Sequence, residues 1–171
     1  MDEVPLALLA PLPDRAARYR EVRDRLGALL EGVDDWVAAL ASVVGELHHT
    51  FAFYDWTGFY RCSRPGALVL GPFQGGHGCW FIPFDRGVCG AAARDARSQV
   101  VPDVRAFPGY IACSSASLSE IVVPVLTPSG RLLAVLDVDS DSPGAFGEVD
   151  REALEAIAAD LGRRFADQVN L

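Results

Sequence analysis

The chain has 171 residues, about one domain's worth, of which half are hydrophobic, and its formal net charge is −8. Asp and Glu number 23 against 15 basic residues, all of them Arg. The hydrophobic half, a charged share of 22% and the lack of low-complexity sequence argue against global disorder. The acidic balance argues against nucleic acid or an anionic membrane as partner, because both need a cationic face.

The N-terminal apolar stretch, residues 4–12, is broken by Pro5 and Pro11 and follows Asp2 and Glu3, so it does not read as a signal peptide. No apolar run approaches the length of a membrane span. A reducing cytoplasm is the expected compartment, where the four cysteines serve better as thiols or ligands than as staples.

The first predicted helix opens at Pro13-Asp14 and ends near Gly32, with Tyr19, Val22, Leu26, Leu29 and Leu30 at helical spacing. A second runs from Asp34 to His49 with Trp36, Leu40, Val43, Val44 and Leu47 as its stripe. The period then changes. Phe59-Tyr60 and Leu68-Val69-Leu70 read as strands joined at Arg64-Pro65-Gly66, and Trp80-Phe81-Ile82 as a third. Gly87 to Arg94 is a short helix of small residues, and Gln99-Val100-Val101 a strand. Asp103 to Ser119 has little period and reads as a long loop with one turn of helix; loops of that length are usually functional. Ile121–Leu126 and Leu132–Val138 are the clearest strands, with Pro128-Ser129-Gly130 as their hairpin turn. A last helix spans Glu148 to Phe165, burying Val149, Leu154, Ile157 and Leu161. The pattern is α+β: a mostly antiparallel sheet with helices packed on it, without repeat or interdomain linker.

Three cysteines sit in contexts unlike core positions. Cys79 follows Gly75-Gly76-His77-Gly78, Cys89 lies in Gly87-Val88-Cys89-Gly90 where a helix begins, and Cys113 lies in the long loop. A thiol at a helix start is acidified by the dipole and free N–H groups, which favours Cys89 and Cys113 as reactive groups. Cys62, beside the first turn, reads as a small buried hydrophobe or an incidental surface thiol. A structural Cys79–Cys113 bridge would contribute about 4 kcal/mol on the chain-entropy model, but a domain with a core does not need it. Zinc on His77, Cys79, Cys89 and Cys113 is the other alternative; the absence of a Cys-x-x-Cys pair counts against it.

The carboxylates are the second half of the case. Glu120 precedes one long strand, while Asp137 and Asp139, two residues apart, share a face at the end of the other. Acids gathered on a dry face raise each other's pKa, and such a group can hold a proton at neutral pH and donate it. Asp141 reads as a turn residue.

At these residues the chain resembles the GAF-domain free methionine-(R)-sulfoxide reductases. The resemblance runs from Trp56 to the last helix. It rests on Trp56-Thr57-Gly58-Phe59-Tyr60, Leu70-Gly71-Pro72-Phe73-Gln74-Gly75, Gly87-Val88-Cys89-Gly90, Gly109-Tyr110-Ile111-Ala112-Cys113 leading to Ser119-Glu120-Ile121-Val122, and Val135-Leu136-Asp137-Val138-Asp139-Ser140. The departures are Ser114, where an acidic residue often follows the nucleophile, Leu118 in place of an expected Asn, and the Gly-Gly-His-Gly loop.

The resemblance implies a single GAF-like domain over 1–171, with N-terminal helices in 1–50 and a catalytic core in 55–168. It implies Cys113 as nucleophile, Cys79 as resolving thiol and Cys89 as auxiliary thiol. Glu120, Asp137 and Asp139 would hold the substrate, and Trp56 and Tyr60 would box its side chain. It further implies free methionine-(R)-sulfoxide as substrate, an intramolecular disulfide in the cycle, thioredoxin or a similar dithiol as reductant, and no metal or organic cofactor; a homodimer is left open. The competing expectation is a non-catalytic GAF module that binds a small molecule or senses oxidants, since fold alone does not decide function.

Overall fold

A computed structural model describes residues 12–113 and 115–167. Residues 4–11 of the N-terminal stretch considered above as a signal peptide, and Ser114, lie outside them. Helices α1 (Leu12–Leu29) and α2 (Trp36–Thr50) precede β1 (Trp56–Arg64), β2 (Ala67–Gln74) and β3 (Phe81–Pro83). Then come α3 (Gly87–Asp95), β4 (Gln99–Val101), a 3₁₀ turn (Val104–Ala106), β5 (Ser119–Leu126), β6 (Leu132–Ser140) and α4 (Glu148–Arg164). The strands form a six-stranded sheet in the order β3-β2-β1-β6-β5-β4, antiparallel at every pairing.

Each element has a local cause. Asp35 caps α2 by accepting from the Ala38 N–H at 2.7 Å. The β1–β2 hairpin turns on Pro65-Gly66, with Gly66 at φ 71°, a conformation glycine takes without strain. Sequence periodicity finds β1, β2, β5 and β6 but cuts them short: β5 begins at Ser119 and β6 continues to Ser140. Glu120 therefore lies within a strand rather than before one, because polar residues at the site interrupt the apolar alternation that marks a strand.

The sheet has two different faces. On one, Phe59, Ile121, Val123, Val125, Leu133, Leu136 and Val138 pack against α1, α2 and α4 as the larger core. Each fully buried aliphatic side chain there contributes about 1.5–3 kcal/mol. Leu29, predicted to join this core, is 54% exposed, since α1 ends there and the chain turns at Leu30, which is buried instead. Arg15 and Asp150 tie α1 to α4 at 2.8 Å, both nearly inaccessible, and Tyr19 donates to the same carboxylate at 2.8 Å. At Gly162 a Cβ would lie 1.9 Å from the Leu126 carbonyl oxygen, so glycine lets α4 sit directly on β5.

On the other face Tyr60, Leu68, Val88, Ala92, Val122 and Val135 form a second, smaller cluster under α3 and the loop before β5. This cluster contains the site.

Candidate active site

Strand register assembles the polar floor. Asp139 on β6 stands directly opposite Trp56 on β1 and Glu120 on β5; Asp137 stands opposite Gly58 and Val122. With a side-chain period of two, Glu120, Asp137 and Asp139 share the face beneath α3. Glu120 and Asp137 are each only 5% exposed. Burial first, then the charges of Asp137 and Asp139, pushes Glu120 well above the usual carboxylate range. Burial first, then Asp137, does the same to Asp139. Burial brings Asp137 to about 7. The trio thus titrates as a coupled set and can hold both a proton and a negative charge near neutrality. Oδ1 of Asp137 is buried without a hydrogen-bond partner.

Cys89 hangs over this floor from the first turn of α3. Its thiol donates to Glu120 Oε1 across 3.9 Å. The expectation that a helix start acidifies Cys89 is overturned: burial, then Asp137 and Glu120, pushes this thiol well above its ordinary value. Desolvation and two carboxylates outweigh a dipole that is worth about 0.3–1 kcal/mol. Sequence cannot anticipate this, since the acids arrive from strands 31 and more positions away.

Cys79 and Cys113 are joined in a disulfide with Cα atoms 5.2 Å apart across 34 positions. The bond links the Gly-rich loop before β3 to the long loop before β5. Between it and the acids lies a small cavity lined by Cys89, Tyr110, Ile111, Cys113, Glu120, Asp137 and Asp139. Its free space is about 20 Å³, on the order of one water. The first turn of α3, whose N-cap Arg86 makes no side-chain capping bond, faces the same cavity through Gly87 and Val88.

An aromatic wall flanks the floor. The Trp56 ring stacks on Tyr60 with centroids 5.7 Å apart and on Phe73 at 5.6 Å. Phe73 was not singled out by sequence, although it stands in a quoted motif; its partnership comes from β1–β2 pairing. A Cβ at Gly58 would lie 2.4 Å from the Trp56 ring, and one at Gly78 3.0 Å from it and 3.1 Å from the Tyr60 hydroxyl, so glycine makes room for both rings. Trp56 Nε1 donates to the Gly76 carbonyl at 3.2 Å, anchoring the loop that carries Cys79.

The structure therefore brings Cys79, Cys89, Cys113, Glu120, Asp137, Asp139, Trp56 and Tyr60 to one end of one sheet face. It does not assemble the zinc set considered from sequence: His77 is exposed, and Cys79 is bonded to Cys113. Cys62 is buried on β1, 8% exposed, and burial raises its pKa.

A family model for the GAF domain matches residues 25–165. The free methionine-R-sulfoxide reductase of Saccharomyces cerevisiae is 39% identical over 148 residues, 81% of this chain and 82% of the yeast protein. The chain belongs to the GAF-domain free methionine-(R)-sulfoxide reductase family. The Escherichia coli free methionine-R-sulfoxide reductase is 38% identical, covering 86% of this chain and 88% of its own. The crystal structure of the Neisseria meningitidis reductase in complex with its substrate superposes with a TM-score of 0.83 at 46% identity, over 88% of this chain and 90% of that one. The GAF scaffold of the family explains the placement of the site. Its sheet carries the acids, and two loops joined at Cys79–Cys113 cover them. Among the described residues no helix is long and apolar enough to cross a membrane.

Proposed function

We propose that this chain reduces free L-methionine-(R)-sulfoxide to L-methionine in the cytoplasm. The observation that carries the reading is a redox-capable cysteine pair closing a cavity floored by two buried acids, Glu120 and Asp137, and the half-buried Asp139.

The chemistry follows from the residues. In the reduced enzyme the Cys113 thiolate attacks the sulfoxide sulfur while the acid set delivers a proton to the departing oxygen. The S–O bond breaks, the protonated oxygen passes as hydroxyl to the Cys113 sulfur while the transient bond between the two sulfurs opens, methionine leaves, and Cys113 is left as a sulfenic acid. The Cys79 thiol attacks that sulfur and water departs, forming the disulfide. Sulfoxide plus two thiols thus gives thioether, disulfide and water. A dithiol such as thioredoxin, at about −270 mV, is a suitable reductant for the next cycle.

Glu120, Asp137 and Asp139 have a second task. A free amino acid presents an ammonium group, and a partly ionised acid set buried beneath the cavity is its complement. The Gly87 N–H at the start of α3 is given to the Gly109 carbonyl at 3.0 Å, and the N–H groups that follow it in the first turn are offered to the substrate carboxylate. Trp56 and Tyr60 supply an apolar wall for the side chain. Cys89, high in pKa and buried, is suited to hold the acid set by its thiol donor rather than to attack.

In the disulfide state the cavity is too small for an amino acid, so reduction must release the Cys79 loop before substrate enters. Opening and closing of these loops is therefore part of the cycle. A binding-only GAF module would need neither the paired thiols nor the raised acids.

Turnover of separated epimers with dithiothreitol tests the reading. Reduction of the free R epimer is expected, with neither the S epimer nor an N-acetylated, amidated substrate accepted. Equal activity on the blocked substrate would sink the claim that the acids receive a free ammonium.

A further inference from the structure

The cavity also has the donors of a cation site. Cys89 Sγ, a Glu120 carboxylate oxygen and an Asp137 carboxylate oxygen all lie within 4.8 Å of one another, and all three residues are buried. Sγ and Glu120 Oε1 are 3.9 Å apart. In a tetrahedral zinc site with bonds of about 2.0–2.3 Å, ligand atoms stand about 3.5 Å from each other. The Sγ–Oε1 separation of 3.9 Å is thus only about 0.4 Å wider than such a site.

An independent observation points the same way. Asp137 Oδ1 is buried without a partner on a side chain 95% removed from solvent, and such an orphaned oxygen calls for a ligand. Asp137 and Glu120 line the same small cavity as Cys89, with Asp139 beside them. One thiolate, two carboxylates and an open fourth position suit a borderline-soft dication such as Zn²⁺ or Cd²⁺; a hard cation such as Ca²⁺ wants six to eight oxygens.

We propose that the chain binds one such dication through Cys89, Glu120 and Asp137. The ligand sulfur is one of the two thiols, Cys62 and Cys89, that stay free when Cys79 and Cys113 are bonded, so this site differs from a chelate of the redox pair. That the dication would exclude an amino-acid ammonium from the same carboxylates rests on the function proposed above; binding itself does not.

The experiment is a titration with Cd²⁺ alone, read by thiolate-to-metal charge transfer in the ultraviolet. The background is Cys79→Ser/Cys113→Ser, in which only Cys62 and Cys89 keep thiols. One equivalent with a charge-transfer band is expected. The band should persist when Cys62→Ser is added and vanish when Cys89→Ser is added. Asp137→Asn, which keeps shape and removes the charge, should weaken binding at least ~10-fold while the far-ultraviolet spectrum stays that of the parent. Absence of the band in the background protein, its survival in Cys89→Ser, or its loss in Cys62→Ser overturns the assignment. No sulfoxide is present, so this outcome is independent of whether the chain is a reductase.

Discussion

The two faces of the sheet treat buried charge in opposite ways. Beneath α1 and α4, Asp150 is fully buried but sits 2.8 Å from Arg15, with Tyr19 donating to its other oxygen and the Gly147 N–H at 2.8 Å. Beneath α3, Glu120 and Asp137 are buried beside the half-buried Asp139, and each is raised by desolvation. The first arrangement satisfies a charge so that helices can dock. The second leaves charge unsatisfied, a cost in stability that a cationic ligand or a proton relieves. The difference separates a face that holds the fold from one to which the proposed chemistry is assigned.

The sharpest way to separate them is the proposed nucleophile. Cys113→Ser should release no methionine in a single-turnover assay while melting close to the parent protein under reducing conditions. Cys79→Ser should release one equivalent per enzyme and then stop. A Cys113→Ser protein that still yields one equivalent refutes the role split.

The converse is a substitution on the helical face. Asp150→Ala leaves the buried Arg15 guanidinium without its ion pair and removes the acceptor for Tyr19 and Gly147. About 3–5 kcal/mol of stability should be lost in denaturant unfolding, with activity per folded molecule retained. If activity falls with stability unchanged, the two faces are not functionally separate.

Asp137→Asn probes the site face by pH. The folded-state pKa of Asp137, about 7, lies above its unfolded value near 3.8. The native state binds the extra proton, so this group's stability contribution is complete below about pH 3.8 and declines as pH rises towards 7. Asp137→Asn should therefore become more stable relative to wild type across that window, by on the order of 1 kcal/mol or more, while kcat/KM falls about 10²-fold. A stability difference that does not change with pH contradicts the proposed titration.

The smallest effect belongs to Cys62. It is buried on the same face as the site but contributes no atom to the lining of the cavity. Cys62→Ser should change kcat less than ~2-fold and cost no more than ~1 kcal/mol of stability, read from steady-state kinetics and a melt.

Much of this was legible in the sequence. A run of small residues marked α3, and apolar periods located the other three helices and the six strands, because burial on one side of a helix or strand imposes a spacing that neighbouring residues reveal. Cys79, Cys89 and Cys113 stood out by their glycine, serine and loop contexts, and the pairing of Cys79 with Cys113 was available through the family motifs. Asp137 and Asp139, two apart on one strand, had to share a face whatever the fold. Tertiary structure decided what depends on groups distant along the chain. Register set Glu120 opposite Asp139 and Gly58 opposite Asp137, and β1–β2 pairing brought Phe73 to Trp56. Burial beside two carboxylates reversed the local expectation for Cys89, turning a thiol at a helix start from an acidified group into a weakly acidic donor. A side chain's spacing is written in its neighbours, but its proton affinity is set by solvent exclusion and by charges from other strands, which exist only once the sheet has formed.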